Sequence, residues 1–419
     1  LPGASARLLF VNIYYAPEVT GIAPYNVGLT THLAAKGYAV TMITGMPHFP
    51  QWRTWEPYRT VLRSSEVRDG VDVRRVRHFS RAGDSVVGRA LYEATFLGQA
   101  LSTAVRPQPD AVLAVIPNLS SGVVGALQAR RFGVPFGVLV QDLTGSAAAQ
   151  SGLPGGERAA TPVRAIESWI LRQASRVAVI CDAFRAPAER AGARPDSIVS
   201  LPNWSHVEQP SGDRADVRRR MGWPDGTGIV LHAGNMGFKQ NLDNVLATAR
   251  LAAGLGERLH FVLMGDGSQR RRLELEARGM RNVQFLGLQP AEQFMDILAA
   301  ADVLLLNERA TVRNMSLPSK ITSYFRAGRP VVAAVPRDGS TAQELARSGG
   351  AHLVPPEDPE ALLAGLTAVV GNYEFSSRLS ECGRTYAARH LDGHVVLGQA
   401  EQFVADVLSG TAAATPRPA

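Results

Sequence analysis

Short apolar runs recur along the chain, and most lack the period-two alternation of a half-exposed strand. In the first half these are LLFVNI (8–13), YAVTMIT (38–44), VDVRRVRHF (71–79), AVLAVI (111–116), PFGVLV (135–140) and RVAVI (176–180). In the second they are GIVLHAG (228–234), LHFVLMG (259–265), VQFLG (283–287), DVLLLN (302–307), PVVAAV (330–335) and AHLVP (351–355). A strand covered on both faces reads as a continuous apolar run. Helical spacing fills the gaps, at 24–36, 119–131 and 161–174, then at 241–252, 269–278, 290–300, 318–327, 340–348 and 358–369. Strands alternating with helices predict an α/β protein. Right-handed crossovers then give each half a doubly wound, Rossmann-like parallel sheet.

A chain of 419 residues exceeds one ordinary core, so two domains are expected. Pro202, Pro210, Pro224 and several glycines mark the link. The expected layout is an N-terminal domain over 1–205, a linker over 206–226 and a second domain over 227–393. An amphipathic helix over 394–411 and a disordered tail over 412–419 follow. Ligands of such sheets bind beyond the C-terminal strand ends, so two tandem domains predict a site in a central cleft.

Composition narrows the class. The chain is 45% hydrophobic and 19% charged, and no apolar run approaches the roughly 20 residues of a membrane span. The opening LLFVNIYYAP has a short apolar core and contains Asn12, so it reads as a first strand and not as a leader. Cys181 and Cys382 are the only cysteines, which excludes a disulfide framework or a cysteine metal site and fits a reducing cytoplasm. The net charge is +7, of which residues 1–210 carry +6. Arg63, Arg68, Arg74, Arg75, Arg77 and Arg81 crowd into twenty residues. They read either as a solvated strand face or as a surface for an anionic membrane or acceptor, peripheral at the inner face of the membrane. No nucleic-acid motif or aromatic interleaving accompanies them, so nucleic acid is not an expected partner.

Three Gly-rich segments of the second half carry the candidate chemistry: GNMGFKQN (234–241), MGDGS (264–268) and LPSK (317–320). Gly234 and Gly237 permit close backbone approach beside Asn235, and Asn241 reads as a helix N-cap. Gly265, Asp266 and Gly267 make a tight turn but lack the third glycine of a dinucleotide fingerprint. Pro318 reads as a first helical residue, with Leu317 before it and Ser319 and Lys320 in the first turn. Only three lysines stand against 41 arginines, and two of them, Lys239 and Lys320, fall in these segments. Compact ammonium groups beside free backbone N–H groups suit a diphosphate. In the first half, Gly21 and Ile22 precede a helix starting near Ala23. Asp142 lies past a strand end, His48 sits on a Pro-flanked loop, and His232 reads as structural within its strand. No DxD or Walker pattern is present, so no metal or other cofactor is expected.

The order GNMGFKQN, MGDGS, VQFLG and LPSK…AGRPVV resembles the donor-binding half of glycosyltransferase family 4, retaining enzymes of the GT-B fold. The first-half phrases YYAPEVTGIAPYN, TGMPHFPQW and VQDL resemble its colanic-acid and exopolysaccharide branch. The resemblance implies a nucleotide-diphosphate sugar (UDP- or GDP-linked) as donor, held mainly by the second domain. It implies a glycan, lipid-linked or small-molecule acceptor held by the first. It places Lys239, Lys320, Ser319, Gly21 and Ile22 on the diphosphate, Phe285, Leu286 and Leu288 along the nucleobase, and Asp142 near the sugar. His48 is the remaining catalytic candidate. Many members carry two glutamates eight positions apart. Counting back from Gly328 those positions are Met315 and Ser323, so Glu308 or Asn314 would substitute.

Lysines and oriented amides can stabilise a departing diphosphate, and in the mechanism proposed for the family the phosphate takes the acceptor proton. Metal independence is therefore expected. Alternative readings are transfer to a soluble secondary metabolite, a nucleotide-sugar 2-epimerase, which would need more acid and base groups, and a non-catalytic nucleotide-sugar binder.

Overall fold

The computed structural model describes residues 6–19, 21–49, 51–80, 86–143, 156–205, 209–312 and 317–410. Arg81, Asn314, Met315 and the tail 412–419 lie outside the described residues. The chain divides into two compact units, one comprising Leu1–Pro202 with His394–Ala419, the other Asn203–Gly393.

The first unit is built on an eight-stranded sheet. Its strands are β1 (Arg7–Val11), β2 (Ala39–Gly45), β3 (Arg63–Arg68), β4 (Val71–Val76), β5 (Ala111–Ile116), β6 (Phe136–Val140), β7 (Arg176–Val179) and β8 (Ile198–Ser200). They lie in the order β3-β4-β2-β1-β5-β6-β7-β8, and every pairing is parallel except β3 with β4. The apolar runs account for the central strands: all six residues of β5 are buried, as expected where helices cover both faces. The polar edge strand β3, RSSEVR, gave no such signal. It pairs with β4 through Asp69 and Gly70, both at positive φ, the two-residue Asp-Gly turn that matches the twist of a hairpin.

The arginine-rich stretch is not one solvated face. Arg75 is buried, paired with Glu66 and donating to the Ala16 carbonyl at 2.5 Å, while Arg74 pairs with Asp72 at 2.6 Å. The helix Gly393–Leu408 belongs with this unit. A Cβ at Gly137 of β6 would meet Val407 at 2.8 Å, and Glu401 accepts from His32 at 2.5 Å and pairs with Lys36 at 3.2 Å.

The second unit carries six parallel strands: β9 (Gly228–Ala233), β10 (Leu259–Met264), β11 (Val283–Leu286), β12 (Val303–Asn307), β13 (Val331–Ala334) and β14 (Ala351–Val354). Their order is β11-β10-β9-β12-β13-β14. Two apolar clusters cover its faces, one containing Leu231, Leu304, Tyr324 and Phe325, the other Val230, Leu246, Phe261 and Leu305. Segment 209–226 holds a helix, Arg214–Met221, capped by the Asp213 side chain and ended by Gly222 in the left-handed region. Val217 and Trp223 from this segment join the first of those clusters. Chain order reverses between β9 and β12. That is the topological switch point, where open α/β sheets bind ligands beyond the strand ends.

Candidate active site

The switch point of the second unit opens because β9 and β12 pair over only two residues, Val230 with Val303 and Leu231 with Leu304. Beyond that register Tyr324 bridges the gap. Its hydroxyl accepts from the Ala233 amide at 2.8 Å and lies 3.3 Å from the Leu305 carbonyl oxygen. Burial pushes the phenol well above its ordinary pKa, so it stays neutral. Asn307, at the end of β12, donates to the Gln240 and Asn241 carbonyls at 2.8 and 2.9 Å and accepts from Asn244 at 2.9 Å. The loop after β9 is thereby fastened to the end of β12.

That loop interlocks with the turn after β10. Gly234 N–H donates to Met264 at 2.8 Å and Met236 N–H to Asp266 at 2.8 Å. Gly265 has φ +137, and a Cβ there would sit 2.0 Å from the Gly234 oxygen. Only glycine fits, which explains the MGDGS turn without any dinucleotide role. Lys239 lies exposed in the 3-10 turn Phe238–Gln240 that Gly237 opens. Asn241 holds the N-cap position of the helix Leu242–Gly254 at φ 44, but its side chain makes no cap bond. Its amide instead lies 3.5 Å from Glu357.

The helix that brings Lys320 is Lys320–Arg326, with Ser319 as its exposed N-cap residue. It starts two residues later than Pro318, the position the sequence suggested. Pro318 and Ser319 form only the preceding turn, their carbonyls accepting from Ile321 and Thr322, a usual offset at helix ends. Leu317 packs against the apolar core. Lys320 Nζ lies 3.4 Å from Nε2 of the fully buried His232, and 3.4 Å from where a Cβ on Gly234 would stand. Although the residue as a whole keeps some exposure, its ammonium is the deep end. Burial pulls its pKa down to about 8, against the opposing pull of Glu308. His232, read as structural from its place in a strand, is held neutral by burial and by the lysine's charge.

Glu308 follows Asn307 and is 6% exposed. One carboxylate oxygen accepts from Thr341 at 3.1 Å, while Oε2 is buried with no hydrogen-bond partner. Burial raises its pKa to about 7, opposed by the Thr341 bond and by the charges of Lys320 and Lys239. Both lysines therefore favour the charged form of this carboxylate. Arg309, which carried no sequence signal, donates to the Phe238 carbonyl at 2.9 Å and stacks on the Phe238 ring at 3.7 Å, bracing the Lys239 turn. Ser323 is a buried helix residue bonded to the Lys320 carbonyl at 3.2 Å. Phe285 and Leu286 lie half-buried on the edge strand β11, and Leu288 beyond it is 75% exposed.

In the first unit, Gly21 takes φ +66 and Ile22 caps the helix Ala23–Ala35. Asp142 lies two residues past β6, half-buried and with an interaction partner. His48 is fully buried: Nδ1 lies 3.0 Å from the Met46 carbonyl and Nε2 3.1 Å from the Tyr92 hydroxyl. Burial lowers its pKa to about 4. Beside it Glu18 accepts from the His48 and Phe49 amides at 2.8 and 2.7 Å, yet burial still raises its pKa to about 7. Among the described residues no group of three or more His, Cys, Asp or Glu side chains is placed to hold a metal ion, and no helix is long and apolar enough to cross a membrane.

Two α/β units on largely parallel sheets, with lysines at the switch point of the second, match the GT-B architecture. Residues 20–204 match the glycosyl transferase 4-like domain and residues 227–372 the glycosyl transferases group 1 model. An Escherichia coli protein named for colanic acid biosynthesis glycosyl transfer is 30% identical over 415 residues, 96% of this chain and 99% of that one. The chain belongs to glycosyltransferase family 4 and is an enzyme of the transferase class. Solved structures agree on the fold. Sucrose-phosphate synthase of Thermosynechococcus elongatus superposes with TM-score 0.76 at 19% identity, over 97% of this chain and all of that one. Anabaena HepE in complex with UDP-glucose gives 0.66 at 17%, over 95% and 99%.

Proposed function

We propose that the chain transfers a sugar from a nucleotide-diphosphate donor to an acceptor hydroxyl, with retention and without a metal ion, in exopolysaccharide or lipid-linked glycan assembly. The observation that carries this reading is the switch point of the second unit, where Lys320 Nζ lies 3.4 Å from His232 Nε2 beside the Gly234 turn and Glu308 buries an Oε2 without a hydrogen-bond partner. In the proposed reaction the anomeric C–O bond to the diphosphate breaks and the acceptor oxygen bonds to the same face of the sugar. The acceptor proton passes to the departing phosphate oxygen. Charge grows on that phosphate in the transition state, so the two ammonium groups act most strongly there. With a pKa of about 8, Lys320 still carries its charge at neutral pH.

Glu308 Oε2 is assigned to a hydroxyl of the donor sugar, the contact that would complete a buried acceptor otherwise left unsatisfied. It thereby takes over a task of the glutamate pair. Phe285 to Leu288 are assigned to the nucleobase, and the interlocked turns at 234–237 and 265–267 to the diphosphate. A UDP-glucose complex of HepE and the colanic-acid name of the E. coli relative favour this donor class and pathway type.

The test is transfer from UDP- and GDP-sugars, with the product anomer read by NMR. Retained configuration and full activity in EDTA are expected. An inverted product, or activity abolished by EDTA and restored by magnesium, would overturn the respective part.

A further inference from the structure

The first unit holds a second cationic site, built from loops that the donor chemistry leaves unused. A cavity of about 790 Å³ is lined by Arg53, Arg59, Arg77, His78, Thr95 and Gln99 among others, and among the described residues no carboxylate lines it. Its walls are fastened together. Thr54 N–H donates to Ser80 Oγ at 3.2 Å, Phe79 N–H to Thr95 Oγ1 at 2.8 Å, and Arg77 N–H to the Leu62 carbonyl at 2.9 Å.

Among the described residues the Arg53 and Arg77 side chains make no hydrogen bond or ion pair, and both are exposed. Arg59 is partly spoken for, through Glu56 at 2.7 Å and the Thr54 carbonyl at 3.4 Å. Arg53 and Arg77 add like charge to one pocket in which only Arg59 has a carboxylate partner, so an anion there is favoured. Beneath them lies His78, 5% exposed, with both ring nitrogens lacking a hydrogen-bond partner. Guanidinium forks suit phosphate oxygens, and the volume falls in the range of small-molecule sites. The rim carries Leu62 at 65% and Phe79 at 36% exposure, apolar surface that an acceptor's aglycone or lipid portion could cover.

We propose that this pocket binds the phosphate or diphosphate group of the acceptor, with Arg53 and Arg77 as its principal ligands. The inference rests on the transferase reading for the word acceptor only, because anion binding is measurable without transfer.

The test uses the full chain carrying Lys239→Ala and Lys320→Ala, so that the donor site contributes little to anion binding. Titration with inorganic pyrophosphate is one arm, and co-sedimentation with phosphatidylcholine vesicles containing phosphatidylglycerol the other. Adding Arg53→Gln/Arg77→Gln is expected to weaken binding at least about tenfold, the scale of losing charge-assisted contacts. Loss in the pyrophosphate arm alone identifies a soluble phosphate. Loss in the vesicle arm identifies a lipid headgroup. The control Arg130→Gln/Arg131→Gln removes equal charge elsewhere on the unit and should bind as the parent does. The proposal fails if the Arg53/Arg77 variant matches its parent in both arms, or if the control loses as much. If the donor reading alone is wrong, the lysine changes leave sugar transfer intact and the arginine result still stands.

Discussion

Each unit gathers ionisable groups beyond the C-terminal ends of its strands, but the first packs two histidines against each other where the second sets a lysine against a buried carboxylate. In the first, His48 and His78 are pushed down to about 4 and about 3, and Glu18 is pushed up to about 7. Burial dominates all three, and the ring of Tyr92 lies 5.3–5.5 Å from both histidines. In the second, burial also acts on Lys320 and Glu308, but each works against the other's shift. Desolvation discharges the two histidines, whereas Glu18 sits near 7 with the charge of Arg75 opposing its shift. Desolvation shared by opposite charges leaves both poised near neutrality. The first arrangement stiffens a fold, whereas the second can answer a ligand.

The comparison breaks most visibly at Lys320. Lys320→Ala should lower turnover by about a hundred- to a thousandfold at saturating donor, the cost of one preorganised electrostatic contact. Lys239→Ala should cost less, about tenfold or more, since Lys239 is exposed. Near-wild-type rates in both would remove the donor assignment.

Next in size is pH. Lys320 must be protonated to hold a diphosphate, and its pKa in the free protein is about 8. A bound anion raises that pKa, so donor affinity should fall as pH rises above about 8, up to tenfold per pH unit. Calorimetry across pH 7 to 9.5 reads this, and Lys320→Arg should flatten the curve. Glu308→Gln sharpens the point. Without the carboxylate's opposing charge, the Lys320 pKa drops further and the fall in affinity starts at lower pH.

The smallest effects lie in the first unit. Tyr92→Phe removes the partner of His48 Nε2 and should cost about 1 kcal/mol of stability, with donor affinity unchanged. His48 and His78 have folded pKa values below the unfolded 6.5. The stability linked to their neutral forms is present above pH 6.5 and is lost as pH falls toward 4 and 3. Glu18, raised to about 7, acts in the reverse sense, and its contribution weakens between about pH 4.5 and 7. Thermal melts of His78→Gln against the parent should show a shallower acid loss.

Much of this was legible beforehand. The strands of the second unit differ from their apolar runs by one residue at most ends, because a strand covered on both faces leaves an uninterrupted hydrophobic signature. The edge strand β3 left none, since one of its borders is solvent and its residues are polar. Its Asp69–Gly70 turn was the cue available. The helices Val86–Leu101 and Tyr373–His390 are not among those expected from the sequence. At the site, glycines and lysines stood out as types. His232 did not, because a histidine in an apolar strand looks the same whether or not a lysine approaches it. The contact with Lys320 spans 88 positions.

Apolar runs, helical spacing and turn glycines determined the βα alternation, the two sheets and the tight turns, because backbone hydrogen bonding and burial act locally and mark short stretches of sequence. The pairing of charge with carboxylate was decided only in three dimensions. How far Glu308 is buried, whether Thr341 reaches it, and which of 44 basic residues stand without a partner depend on segments scores of residues apart. Charges interact through space and solvent, and the sequence carries no record of that distance.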